Sequence, residues 1–257
     1  MALHTTMRSP ERIMAIGGFG TGKSHGWLSI ARLSQVTGSD AKFYVLDTDF
    51  AIDRMLSTSF SDLNNVEHYP APDWEDCEAF AKIVVPKIRP NHDWIVVDMI
   101  DITWDQVQAW YTQQVWQEDI GIFFLEARKQ LKGEKGNLQP FAGWTDWQVI
   151  NKVYQSWVAR MLFKSKAHVY LTNKVEPLDS SKEKQQDVLA TYGAFGVKPK
   201  GQKAIGNQVH TVLLFSIPRK DDWRIATVKD RGPAYFQGDK MQDFAYQYLV
   251  EKAGWGL

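Results

Sequence analysis

The chain has 257 residues, enough to bury a substantial core, and its 30 basic and 30 acidic side chains give a formal net charge of zero. Bulk electrostatics therefore advertises no nucleic-acid partner, and any contact with phosphates has to be local. No run approaches the roughly 18 apolar residues of a membrane span, and the single cysteine, Cys77, excludes an internal disulfide and agrees with a reducing compartment.

The opening MALHTTMRSPER carries no apolar stretch of the secretory kind, so a cytoplasmic protein forming one domain over residues 1–257 is expected. RIMAIGG, residues 12–18, reads as a buried strand, and KSHGWLSIARLSQ, residues 23–35, places Trp27, Leu28, Ile30 and Leu33 on one face of a helix. Between them Gly17, Gly18, Phe19, Gly20, Thr21, Gly22, Lys23 and Ser24 spell G-x-x-x-x-G-K-S, followed by His25. A glycine-rich loop between a strand and a helix turns its backbone N–H groups onto phosphates. Lys23 then reaches the β- and γ-phosphates of a nucleotide, and the Ser24 hydroxyl ligates Mg²⁺. His25 reads as a packing or phosphate-adjacent residue.

A second strand, residues 42–46, ends in Asp47, Thr48 and Asp49 before a short helix, and a third, residues 94–97, delivers Asp98 to its carboxyl end. Beside such a loop Asp98 is the expected carboxylate on the Mg²⁺ side. Strands ending in carboxylates and separated by helices imply a parallel sheet with its site along that edge. Residues 102–141 read as a helical insertion, with Arg128, Lys129, Lys132 and Lys135 clustered at its end. In the next helix Trp147, Ile150, Tyr154, Trp157, Val158 and Met161 form a stripe expected to be core or subunit interface. Residues 169–171 form another buried strand. Residues 175–206 then run long and polar without an apolar period, and their Lys198, Lys200 and Lys203 are candidates for a phosphate backbone. QVHTVLLFSIP and DWRIATVKDRG form a hairpin, and the tail from Asp239 reads as one more amphipathic helix. The six histidines show no metal-ligand spacing, so no protein metal site is implied beyond nucleotide-bound Mg²⁺.

The order of the loop, VLDTDFAID, IVVDMID, VYLTNK and ATVKDR resembles the RecA-like ATPases, particularly the small ones that phages use for recombination and strand annealing. The resemblance spans about residues 12–232, apart from 102–141. It implies an α/β core with a mostly parallel sheet flanked by helices and a C-terminal β-hairpin. It also implies ATP hydrolysis with Mg²⁺ coupled to single-stranded DNA. Asp49 falls where the family has a glutamate that activates water, with Asp47 as the nearby substitute. Asp53 matches a position that approaches adenine, Leu56 stands where a stacking tyrosine is found, and Asn173 and Lys174 match a γ-phosphate sensor. Lys229 and Arg231 match an element that reaches a neighbour's γ-phosphate, which implies a homo-oligomer, ring or filament, with nucleotide between subunits. A helicase or packaging motor, a nucleotide-gated scaffold and a small-molecule kinase are the alternatives.

Overall fold

The structure is a computed structural model describing residues 9–130, 143–179, 181, 183–202 and 204–255. The first apolar run forms β1 (Arg12–Gly17), buried from Ile13 onward as a central parallel strand requires. The glycine-rich turn leads into α1 (Lys23–Val36), followed by β2 (Phe43–Asp47), α2 (Ile52–Leu56), β3 (Val66–Pro70), α3 (Trp74–Val84), β4 (Trp94–Asp98) and α4 (Ile100–Trp116). After α5 (Ile120–Gln130) and α6 (Gly143–Ala159), which a wider turn extends to Lys164, the chain enters β5 (His168–Asn173). A ribbon of β6 (Val175–Pro177) and β7 (Val197–Pro199) encloses α7 (Gln186–Tyr192). The short α8 (Ile205–Gln208), the hairpin β8 (Thr211–Arg219) and β9 (Asp222–Lys229), β10 (Gln237–Lys240) and a wide C-terminal helix, Tyr246–Lys252, complete the order.

Eight strands form one sheet in the order β10-β9-β8-β1-β5-β4-β2-β3. Every pairing from β8 to β3 is parallel, and β9 and β10 add antiparallel strands at one side. Alternation along β1 sends Met14 and Ile16 into the layer of α3, α4 and α6, while Ile13 and Ala15 face α1 and the C-terminal helix. The expected α/β core and C-terminal hairpin are present. The α6 stripe is core, with Ile150, Tyr154, Trp157, Val158 and Met161 buried, and Trp147 alone of the six is 38 % exposed.

Two expectations change. Residues 175–206 are not an irregular loop: β6, α7, β7 and α8 lie within them, because Val175 and Val188 pack onto the main core and Leu178 and Tyr192 are buried in it. The tail is a strand before it is a helix, since Lys240 and Asp239 pair with Arg224 and Ile225 of β9. Residues 131–142, with Lys132 and Lys135, lie outside the described residues, and α4 and α5 occupy the chain before them.

Two glycines of GGFGTGKSHG are dictated by close approach. A Cβ on Gly17 would meet the Phe215 carbonyl oxygen at 2.4 Å, and one on Gly26 would meet the Tyr170 hydroxyl at 2.4 Å and Phe244 Cδ1 at 3.3 Å. Gly26 thus lets α1 lie against β5 although glycine is a poor helix former. Gly26→Ala is expected to destabilise the fold by about 1–3 kcal/mol through overpacking. Urea unfolding should recover much of that loss when Tyr170→Phe is added, and no recovery would remove the hydroxyl collision as its cause.

Candidate nucleotide site

Parallel register brings the ends of β1, β2, β4 and β5 to one edge, where Asp47 stands opposite Asp98 and Ile16 opposite Asn173. The loop leaving β1 turns through Gly20 (φ 68°) and Gly22 (φ 93°), both in the left-handed region that glycine enters without steric cost. Its floor is the amino end of α1. Lys23 is buried and its ammonium donates to the carbonyls of Gly17 (3.1 Å) and Gly18 (2.7 Å), so it closes the loop upon itself. Burial lowers its pKa, while Asp98, Asp101 and Asp49 oppose that shift and Lys174 adds to it.

Asp98 is fully buried. Trp27 Nε1 donates to its Oδ2 at 2.9 Å, the Thr172 hydroxyl donates to Oδ1, and Ser24 supplies a further hydrogen bond. Burial raises its pKa, and these donors work against that shift. A hydroxyl at the mouth of the helix, tied to a buried carboxylate, is an oxygen donor set that suits Mg²⁺. Among the described residues no cluster of three or more His, Cys, Asp or Glu forms a separate metal site.

Asp49 follows β2, and Phe50 turns the chain behind it with φ of 57°. Its carboxyl is raised to about 6, first by partial burial, then by the charges of Asp98 and Asp47 and a hydrogen bond with Asp47. Asp47 itself is fully buried. Its Oδ2 accepts from the Ile52 amide (3.2 Å) and from His68 Nε2 (2.9 Å). Asp49 thus faces the cavity while Asp47 is held behind it, which distinguishes the two carboxylates that the sequence leaves as alternatives.

A cavity of about 660 Å³ opens over this edge. Phe19 to His25, Asp49 and Lys174 line it, and Ala51, Met55, Met99, Trp223, Met241 and Gln242 supply its remaining wall. Trp223 Nε1 donates to the Gly20 carbonyl at 3.2 Å, so β9 braces the loop from the side. Lys174 Nζ lies 5.6 Å over the Phe19 ring.

Other expected residues stand elsewhere. Asp53 does not line the cavity: it meets His68 Nδ1 at 2.9 Å, which directs it to the back of Asp47. Asn173 is buried, and its amide donates to the Lys200 carbonyl at 3.2 Å. Lys198 is neutralised by Glu183 (2.9 Å) and Glu176 (3.6 Å), and Lys200 lies 3.6 Å from Asp105, so neither is a free cation for a phosphate backbone. Lys203 lies outside the described residues. Lys229 and Arg231 sit at the far edge of the sheet, because β9 runs antiparallel to β8 and ends beside the first residues of β8. They cannot reach the loop of their own chain. Trp27, Thr172, His68, Asp101 and Trp223 were not singled out for the site from sequence. Thr172, inside VYLTNK, and Asp101, inside IVVDMID, lie within motifs that the sequence already marks, and a residue paired beside a strand-ending aspartate is placed to hold it.

The chain has the α/β arrangement that the resemblance implies: a mostly parallel sheet with a glycine-rich loop after its β1 strand, carboxylates along the same edge, and antiparallel strands added after β8. No family model matches the chain, and no curated protein does. Among solved structures it is similar to the RadB recombinase, with 15 % identity over 92 % of this chain and 90 % of that one and a TM-score of 0.47. It is also similar to the KaiC-like protein PH0186 from the hyperthermophilic archaeon Pyrococcus horikoshii OT3, with 11 % identity over 87 % and 80 % and a TM-score of 0.46. At these values no residue role transfers.

The raised carboxyl of Asp49 has a consequence for stability. A carboxylate whose folded pKa lies above its unfolded value opposes folding when ionised, so the penalty is complete above about pH 6 and disappears as the pH falls toward the unfolded value. Asp49→Asn should therefore raise the melting temperature of the nucleotide-free protein at pH 7.5 and lose that advantage by pH 4. A pH-independent difference between the two proteins would contradict the assignment.

Proposed function

We propose that the protein is a Mg²⁺-dependent ATPase whose turnover is coupled to single-stranded DNA, of the kind used in phage-type recombination or annealing. The observation that carries the reading is the joining of Ser24 to buried Asp98 beneath a loop whose lysine points inward, at the floor of a cavity large enough for a nucleotide. ATP would set its phosphates on the loop amides, and Lys23 would exchange the Gly17 and Gly18 carbonyls for phosphate oxygens. Trp223, Met241 and Met55 offer apolar walls for the base. Ser24 and Asp98 would hold Mg²⁺, which when bound neutralises charge on the phosphate oxygens.

Asp49 faces the cavity with a pKa near neutrality, which suits a base that takes a proton from attacking water. This favours hydrolysis over a nucleotide-gated scaffold. Coupling to DNA rests on the resemblance, and the ribbon offers a route for it: the Lys200 amide donates to the Lys174 carbonyl at 2.9 Å and the Asn173 side chain holds the Lys200 carbonyl. A change at the phosphate edge is thereby tied to β7. The position of Lys229 and Arg231 on the opposite edge supports a contribution to the site of a neighbouring copy, in a head-to-tail assembly.

ATP turnover should be abolished in Lys23→Ala. In Asp49→Asn it should fall by about a hundredfold or more with nucleotide binding retained, and wild-type turnover should rise with pH through about 6. Full turnover in a folded Lys23→Ala protein would refute the ATPase reading. The same assay with single-stranded DNA present tests the coupling, which fails if no DNA alters the rate or binds in any nucleotide state.

Arg231→Ala should leave ATP binding nearly intact and lower turnover by about 10³-fold or more. Mixing Arg231→Ala with Lys23→Ala chains should restore part of the activity, since some interfaces then pair an intact loop with an intact arginine. No restoration, despite co-assembly by native mass measurement, would remove Arg231 from a shared site.

A further inference from the structure

Three cationic side chains and a histidine stand at the edge of the sheet remote from the loop. Arg12 opens β1, the His210 amide just before β8 donates to the Arg12 carbonyl at 2.9 Å, and Lys229 and Arg231 close β9 beside Val212. Side chains alternate across a sheet, and here the alternation sorts charge. Glu11 turns toward the C-terminal helix, where Tyr248 Oη (3.1 Å) and Trp255 Nε1 (3.4 Å) donate to its carboxylate. Asp230 is occupied by the Thr211 hydroxyl (2.5 Å) and by the amides of Gly232 (2.7 Å) and Ala234 (3.0 Å).

The cations lie on the other face. Arg12 stacks its guanidinium 4.7 Å over the Phe163 ring, makes no hydrogen bond or ion pair among the described residues, and has a buried Nε without a partner. Lys229 spends two donors on the carbonyls of Gly206 (2.8 Å) and Val209 (3.0 Å), which leaves its third, and Arg231 makes one long contact of 3.4 Å to the Asn207 carbonyl. Their ionisation carries the mark of crowding. Burial and then Arg231 lower the pKa of Arg12 and of Lys229, and burial, Arg12, Arg231 and Lys229 lower that of His210 against Asp230. An anion would relieve this repulsion. The four residues stand at the neighbouring ends of β1, β8 and β9, and Arg89 further along the edge is already neutralised by Asp40 (2.6 Å) and Asp93 (2.6 Å).

We propose that Arg12 and His210 complete, with Lys229 and Arg231, a site for the terminal phosphate of a nucleotide held by a second copy of this chain. It rests on the shared-site reading above and adds two residues that contact the phosphate. Loss of a charge-assisted hydrogen bond should weaken phosphate binding by about tenfold or more.

The test uses Lys23→Ala protein, whose own loop is disabled, titrated calorimetrically with inorganic tripolyphosphate at low salt. Binding is expected, weakened at least about tenfold by adding Arg12→Gln or His210→Gln and weakened less by Arg12→Lys, which keeps the charge. Absence of binding, or binding indifferent to these substitutions in proteins with unchanged melting temperature, would overturn the site. The source of the phosphate is read separately: Arg12→Gln chains mixed with Lys23→Ala chains should regain ATP turnover. Co-assembly without regain would mean that free phosphate or polyphosphate is the ligand, and displacement of tripolyphosphate by an oligonucleotide lacking terminal phosphates would mean a nucleic-acid backbone; either overturns the second-copy assignment. If the wild-type protein turns over no ATP, the proposed activity fails while the titration still decides the cluster.

Discussion

The candidate site depends on keeping the carboxylate of Asp98 buried at the end of β4. A buried carboxylate without partners would neutralise or unfold its surroundings. Here donors arrive from three directions: Trp27 from the first turns of α1, Thr172 from the adjacent strand β5, and Ser24 from the loop. Each donor fixes one element against β4. Trp27 sets the depth of α1 over the sheet, Thr172 requires the β4–β5 register that places Val97 beside Leu171, and Ser24 ties the loop to both. The same contacts that make the charge tolerable also hold the phosphate-binding loop at a defined height over the carboxyl edge.

Close approach to that edge explains the small residues around it. Gly17 yields to the Phe215 carbonyl, Gly22 leaves room for Met241, and Gly26 leaves room for the Tyr170 hydroxyl. The loop is therefore shaped from outside as well as by its own torsions: β8 crowds its start, and the segment after β10 covers its end. Trp223 adds a hydrogen bond to Gly20. The hairpin thus takes part in the nucleotide edge at Trp223 and in the opposite edge at Lys229, which couples two surfaces through the length of one strand.

What was legible in the sequence was local. The loop, the strands ending in Asp47 and Asp98, the α6 stripe and the hairpin are each written within about twenty residues, where periodicity and glycine spacing suffice. What escaped depends on pairing distant segments. VEHYP has neither a long apolar run nor a motif, yet its pairing with β2 brings His68 between Asp47 and Asp53 and draws Asp53 off the cavity. Lys198 looked free because its partner Glu183 stands fifteen residues away in a segment that reads as a loop. The polar stretch 175–206 hid its structure because Val188, Leu178 and Tyr192 reach the core singly rather than in a period.

The zero net charge conceals a separation along the strands. At the carboxyl edge Asp47, Asp49, Asp98 and Asp101 gather around one buried lysine, and burial raises the pKa of Asp49, Asp98 and Asp101. At the amino edge Arg12, His210, Lys229 and Arg231 share a face from which Glu11 and Asp230 are turned away. In the head-to-tail assembly proposed above, the two edges would face one another with opposite charge, and such contacts would propagate because each copy presents both surfaces. Negative phosphates bound at the carboxyl edge would strengthen the attraction. Assembly and nucleotide occupancy would then be linked through one electrostatic term, without any change in the fold of either copy.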